Sequence, residues 1–483
     1  MKNVIWSVCT ILIGMATLHA QNKQLLYDFY EVPQALMLNP GMKTPYQWHV
    51  GVPMLSGISV QAGSSGLTVN DLFAADGIDF TTKFRDKVIN GLNKNDEFGG
   101  SGTIEVFNLG FRRANRPSDY ISLGMYGEGF IAQYWPQDLA ILAFEGNADN
   151  LNRRFSLNHI ASQGEAVNVF HIGINRRLNS KWTVGLRAKL YSSVFEFKSS
   201  NNDGYFVTTL GENNILRNTI VADVNLRTSG IQEIIDVLNE DSATTQADLA
   251  RLLLRRSLLG GNLGVGFDFG FTHSFGQNSY ITASLLDVGF IYHNNAVENY
   301  TLTGAAINEG IEIILPEDLF DINNDIWQDL VDDIEQQVPF STNEDAYITM
   351  RPLKLNASFR YNFGERGDRS KNCDCGIRSI QRSENLDYVN AFGAQLFAMN
   401  RARGPQVAFS AFYQRRFGNT LALKTTYTID KFSATNIGLG MNLQAGPVNF
   451  YVLADNLLGY GNIPDSHYAS LQFGFNILSW NDN

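Results

Sequence analysis

The sequence predicts an all-β chain: a single transmembrane antiparallel β-barrel of about 14 strands, with an N-terminal plug segment and helix-containing extracellular loops. Three observations carry this expectation. Apolar residues alternate with polar or small ones over long runs, as in Leu263, Val265, Phe267, Phe269 and Phe271 against Gly264, Gly266, Asp268, Gly270 and Thr272. Many runs reach the roughly nine to eleven residues that a tilted strand needs to cross a bilayer, against about five or six for an ordinary globular strand. The connections between runs alternate short and long, the layout of a barrel with a turn side and a loop side.

In chain order the runs lie at 48–62, 101–113, 119–131, 165–177, 181–198, 261–274, 279–292, 347–363, 388–400, 405–416, 419–430, 434–444, 447–456 and 466–478. An even number of strands leaves both barrel ends on one side. The connections Arg113–Asp119, Arg177–Lys181, Ser274–Asn278, Arg415–Asn419 and Gln444–Pro447 are short, carry Gly, Asn, Pro or Arg, and are assigned to the periplasm. The longer connection 364–387 falls on the same side. The opposite side collects 63–100, 132–164, 199–260 and 293–346, the last with 13 Asp or Glu and no Lys or Arg. Two of these loops carry a helical pattern. Ile231, Ile234, Ile235 and Leu238 follow Ser229 as N-cap, and Leu249, Leu252, Leu253 and Leu254 come next. Ile326, Trp327, Leu330, Val331 and Ile334 form the other stretch. Both are expected to pack onto the barrel rim.

Composition removes several classes. Charged residues at 18% and aromatics at 12% do not fit a disordered chain. No run beyond residue 20 is long and apolar enough for a membrane helix. The net charge, 37 − 48 = −11, argues against nucleic acid as a partner. Lys2, the apolar stretch Val4–Leu18 and the small Ala20 before Gln21 read as a signal peptide over 1–20. Residues 21–47 then form a periplasmic or plug segment and 48–483 the barrel. The expected location is the outer membrane of a Gram-negative cell. The expected partners are outer-membrane lipid and proteins of an envelope complex.

The segment Tyr27–Gly41, ending in Asn39-Pro40-Gly41, resembles the pre-barrel segment of the long-chain fatty-acid transporter (FadL) superfamily, to which the Bacteroidota secretion barrel PorV belongs. Gly51–Val60 with Gly66–Phe73 is similar to the opening of an uncharacterised Bacteroidota outer-membrane barrel family. The resemblance implies a barrel of about fourteen strands with its N-terminal segment tucked into or under it. It implies no ligand-binding residue, and Gly41 stands where the transporters favour Ala.

Alternation places Arg187, Lys189, Asp268, Lys354, Arg360 and His171 on the lumenal face as a candidate polar cluster. Charges of both signs in a lumen more often pair and stiffen a filled barrel than line a conduit for apolar molecules. Cys373 and Cys375, in a basic turn, are read as an oxidised pair, although a metal or a partner could also take two such thiols. Asp321-Ile-Asn-Asn-Asp325 matches half of a calcium loop but lacks its glycine, and reads better as a solvated helix start. No histidines are spaced as metal ligands, and no serine is singled out for a Ser-His hydrolase. The expectation is therefore a non-enzymatic barrel without cofactor or metal. It would act as an accessory subunit of an envelope assembly or, alternatively, as a transporter or channel for small hydrophobic molecules.

Overall fold

The computed structural model describes residues 24–239, 245–309, 340–365 and 388–479. The expected signal peptide, the Asp321–Asp325 half-loop, the expected helix over 326–334 and Cys373 with Cys375 lie outside the described residues.

The strands are β1 (Trp48–Gly51), β2 (Ile58–Ser64), β3 (Glu97–Arg113), β4 (Arg116–Tyr134), β5 (Arg154–Ser156), β6 (Ser162–Arg177) and β7 (Trp182–Ser199). There follow β8 (Asp203–Leu210), β9 (Leu216–Ser229), β10 (Asn262–Phe275), β11 (Ser279–His293), β12 (Asn299–Glu309), β13 (Phe340–Asn343) and β14 (Tyr347–Met350). The last are β15 (Lys354–Glu365), β16 (Tyr388–Met399), β17 (Gln406–Phe417), β18 (Leu421–Ile429), β19 (Asn436–Ala445), β20 (Val448–Asp455) and β21 (Tyr468–Ser479). Each barrel strand pairs antiparallel with its neighbours, and the ring closes where β1 and β2 meet both β21 and β3. With β1 and β2 as one interrupted strand, and β14 and β15 as another, fourteen strands form a closed barrel.

The alternation has the physical cause expected of it. Along β10, Leu263, Val265, Phe267 and Phe269 face outward and exposed while Asn262, Gly264, Gly266 and Asp268 are buried inside. Trp48, Trp182, Phe275 and Phe417 stand exposed at the short-turn end, as interfacial aromatics do.

Four expectations need correction. Run 48–62 is interrupted at Val52–Gly57, which bows outward with Met54 and Leu55 exposed. Run 347–363 breaks at Arg351–Leu353, because Pro352 has no N–H to give to the ladder. The long connections hold more than helices. At the long-loop end β5, β8, β9, β12 and β13 form a second antiparallel sheet. Asn213 and Asn214, both at positive φ, turn β8 into β9. The expected helices appear as Ile231–Asn239 and Thr245–Arg255. Ser229 is not where a cap would help: Gly230, at φ +73, precedes the first helical residue, and the Ser229 hydroxyl meets His293 Nδ1 at 2.7 Å.

Candidate functional site

Residues 24–47 lie inside the barrel, and Leu25, Leu26, Phe29, Tyr30, Val32, Ala35 and Leu36 form the largest apolar cluster among the described residues. Apart from one 3₁₀ turn at Pro33–Met37, this plug has no regular backbone pairing. Buried carbonyls without a ladder must find donors elsewhere. The wall supplies them from its lumenal side chains. Lys424 Nζ donates to the Tyr27 carbonyl at 2.5 Å, Arg360 Nη1 to Asp28 at 2.9 Å and Arg187 Nη2 to Leu36 at 2.6 Å. Ser284 donates to Leu38 at 2.5 Å, and Asn175 to both Pro40 and Met42 at 2.7 Å. The plug's own acids are answered as well. Glu31 accepts from Tyr388, Gln414 and Arg416, and Asp28 from Ser358.

The Asn39-Pro40-Gly41 corner sits flush on the wall. Gly185 of β7 and Gly270 of β10 are registered partners, and together they make the seat. A Cβ on Gly185 would lie 2.0 Å from the Pro40 carbonyl oxygen, and one on Gly41 would lie 2.3 Å from that of Gly270. The need for glycine at 41 follows from that approach.

Above the plug runs a ladder of buried charge. Arg187 pairs with Asp268 at 3.2 Å, Asp268 with Lys189 at 2.9 Å, and Lys189 with Asp287 at 2.7 Å. Asp287 continues to Lys354 at 3.0 Å, Lys354 to Glu128 at 3.2 Å, Glu128 to Arg351 at 2.8 Å, and Arg351 to Glu165. Four cations meet four carboxylates, so the ladder is neutral and no charge stands alone in a dry interior.

Of the candidate cluster, Arg187, Lys189, Asp268 and Lys354 stand in this ladder. Arg360 instead grips the plug, and His171 lies beside Tyr126 with its Nδ1 unpartnered. Sequence reasoning missed Glu128, Glu165, Asp287 and Arg351. Two of these stand where a barrel strand departs from regular pairing. Asp287, at φ +60, sits in a β-bulge opposite Asp268, and its N–H bonds the Asp268 carboxylate at 2.8 Å. Arg351 directly precedes the strand-breaking Pro352.

A narrow cavity of about 80 Å³ lies between the plug and this ladder. Leu26, Met37 and Leu38 of the plug line one side, and Phe130, Leu286 and Phe397 line the wall. On the outside of the barrel, a shallow apolar recess of about 390 Å³ crosses β2, β3, β4, β6 and β7. Cavity and recess share Ser59, Thr103 and Glu128, which are registered neighbours on β2, β3 and β4. The next row outward is Val60, Gly102, Gly129 and Ala166, so two of its four positions have no side chain.

Among the described residues, the serine hydroxyl bonded to a histidine ring, Ser229 with His293, does not have the hydrolase arrangement. The serine is fully buried, it meets Nδ1 rather than Nε2, and Nε2 is unpartnered.

Fold and site together define a closed, lumen-plugged fourteen-stranded β-barrel of the transmembrane type. The chain belongs to a family of unknown function, DUF5723, whose profile matches residues 40–455. No curated protein matches it. Among solved structures it is similar to the toluene transporter TbuX of Ralstonia pickettii, at 9% identity and a TM-score of 0.40, over 92% of this chain and 94% of that one. It is also similar to a FadL homologue of Pseudomonas aeruginosa, at 8% identity and 0.39, over 97% and 100% of the two chains. The P. putida toluene transporter TodX matches at 8% and 0.36, over 96% and 94%. At such scores these likenesses carry no argument, and the barrel rests on its own strand pairing.

Proposed function

We propose that the protein is an outer-membrane conduit that passes small, largely apolar molecules from its lumen through the barrel wall into the surrounding lipid. The single observation that carries this reading is the meeting of the lumenal cavity and the outer recess at Ser59, Thr103 and Glu128, where Gly102 and Gly129 leave the wall thin. The short-turn end faces the periplasm, and the plug closes the axial route on that side. A sideways exit suits a cargo that prefers hydrocarbon to water. In the conformation seen, β2, β3 and β4 are hydrogen-bonded across the recess, so passage requires those strands to part. The nearby interruption at Val52–Gly57 and the bulge between Glu105 and Phe107 are the places where the ladder is already broken.

The test is uptake of an apolar fluorophore by intact Gram-negative cells that express the protein. A Cβ on Gly102 or Gly129 would meet no atom closer than 3.7 Å or 3.5 Å, so a side chain can be started at either position and extended into the recess. Wild type should speed uptake, and the double variant Gly102→Leu, Gly129→Leu should abolish the gain while migrating as a folded barrel on unheated gels. Equal uptake by both would overturn the reading. No gain from wild type, with a stoichiometric protein partner co-purifying in mild detergent, would move the assignment to an accessory subunit of an envelope assembly.

A further inference from the structure

We infer that the helical hairpin formed by Ile231–Asn239 and Thr245–Arg255, with the turn Arg256–Gly260 that follows, is seated in the lipid leaflet around the long-loop end, with Leu254, Leu258 and Leu259 immersed among the acyl chains. This needs the barrel to span a membrane and does not depend on the conduit reading.

The hairpin is fastened to the outside of the wall, not to the lumen. Ser192 and Asn168 continue the outward rows of Leu190 on β7 and Phe170 on β6. Ser192 Oγ donates to the Arg256 carbonyl at 2.6 Å and accepts from the Leu259 N–H at 3.1 Å. Asn168 donates to the Ser257 carbonyl at 3.2 Å. Arg256, fully buried, donates to the carbonyl of Val194 at 2.6 Å, where β7 bulges. Its Nη1 reaches Glu233 of the other helix at 2.9 Å, which ties the two helices together. The turn is held tightly enough to keep Leu259 at φ +66, a region leucine rarely adopts.

What this leaves exposed is apolar. Leu254 is 60% exposed, Leu258 51% and Leu259 45%. Alone such a face would name no occupant, but here the chain does. Four residues after Leu259 comes Leu263, the first of the exposed belt Leu263, Val265, Phe267 and Phe269 on β10. The hairpin's leucines therefore continue the surface that the barrel itself turns to hydrocarbon. Arg251 and Arg255 flank Leu254 and Leu258 at helical spacing. Arg251 pairs with Asp248 and Arg255 with Glu233, the carboxylate that Arg256 also uses, and their long stems can lift the ion pairs to the headgroups. An amphipathic helix held in this way lies in the interface plane instead of covering the mouth. Asn168 and Val194, which hold the hairpin, also line the outer recess, so the two lie side by side on the wall.

The experiment places a benzophenone amino acid at Leu258 of the full-length protein in native membranes and identifies the photo-adducts by mass. Phe267, on the belt, is the lipid reference. Ile307, exposed on the second sheet, is the aqueous one. Leu258 should give lipid adducts at a yield like that of Phe267 and about tenfold or more above Ile307, the contrast expected between hydrocarbon and water. The same probe at Leu254 should agree. A yield at the Ile307 level, or adducts chiefly to protein, would overturn the inference.

Discussion

Arg360→Met should loosen the plug while leaving the barrel standing. Arg360 is fully buried, and its Nη1, Nη2 and Nε donate to the Asp28 carbonyl, Gln414 and Asn362 at 2.9, 2.9 and 2.8 Å. Its guanidinium also stacks over Tyr30 at 4.8 Å and Tyr388 at 4.7 Å, while the Asp28 carboxylate lies 3.8 Å away. Methionine keeps much of the volume and removes every donor. Breaking a buried charged contact by removing one partner costs roughly 3–5 kcal/mol, because the group left behind is buried without compensation. At about 1.4 kcal/mol per factor of ten, this is a hundred- to several-thousand-fold rise in the equilibrium for plug detachment. The cost should fall on the plug because Asp28 and Tyr30 belong to it, whereas the wall has its own backbone ladder on both sides of β15. Hydrogen exchange followed by mass spectrometry can read this directly. Peptides covering 24–47 should exchange faster by that factor, with β17 and β18 unchanged. Unchanged plug exchange would show that Arg360 does not hold it. An equal rise in the wall would show that plug and barrel unfold as one unit.

Two further outcomes follow from the same geometry. Gly185→Ala puts a methyl 2.0 Å from the Pro40 carbonyl oxygen, so the Asn39–Gly41 corner must leave its seat. Trypsin should then cut at Lys43 while unheated gel migration stays that of a folded barrel, and resistance at Lys43 would refute the seat. Asp268→Asn removes one carboxylate of the ladder and leaves Arg187 and Lys189 undercompensated, at a cost of roughly 3–5 kcal/mol. The urea midpoint should fall, and adding Lys189→Met should recover part of the loss. A double variant less stable than Asp268→Asn alone would contradict the pairing.

The strands were legible because their signal is local. Side-chain direction alternates with period two, so Leu263 to Phe271 declare their outer face without reference to any other part of the chain. Short turns such as Gly418 and Gly446, both at positive φ, are equally local. The polarity of the lumen came from the same source, since whatever alternates with the lipid face must point inward. The strand interruptions were less legible, because Val52–Gly57 still reads as apolar and Pro352 is a single residue in an otherwise continuous run. The second sheet was hidden in connections that show no strong alternation, and its order depends on β9 lying between β8 and β12.

Local alternation is enough to specify the barrel and the faces of its strands, and the pre-barrel segment is visible ahead of the first run. Only the tertiary structure decided that this segment fills the lumen, and which charges hold it there. Gln414 meets Glu31 across 383 positions of chain, and Arg351 meets Glu165 across 186. No local pattern encodes such partners, because they are chosen by the curvature and register of a closed ring. The same closure brings cavity and recess together at Ser59, Thr103 and Glu128 and sets the hairpin's leucines beside the lipid-facing belt.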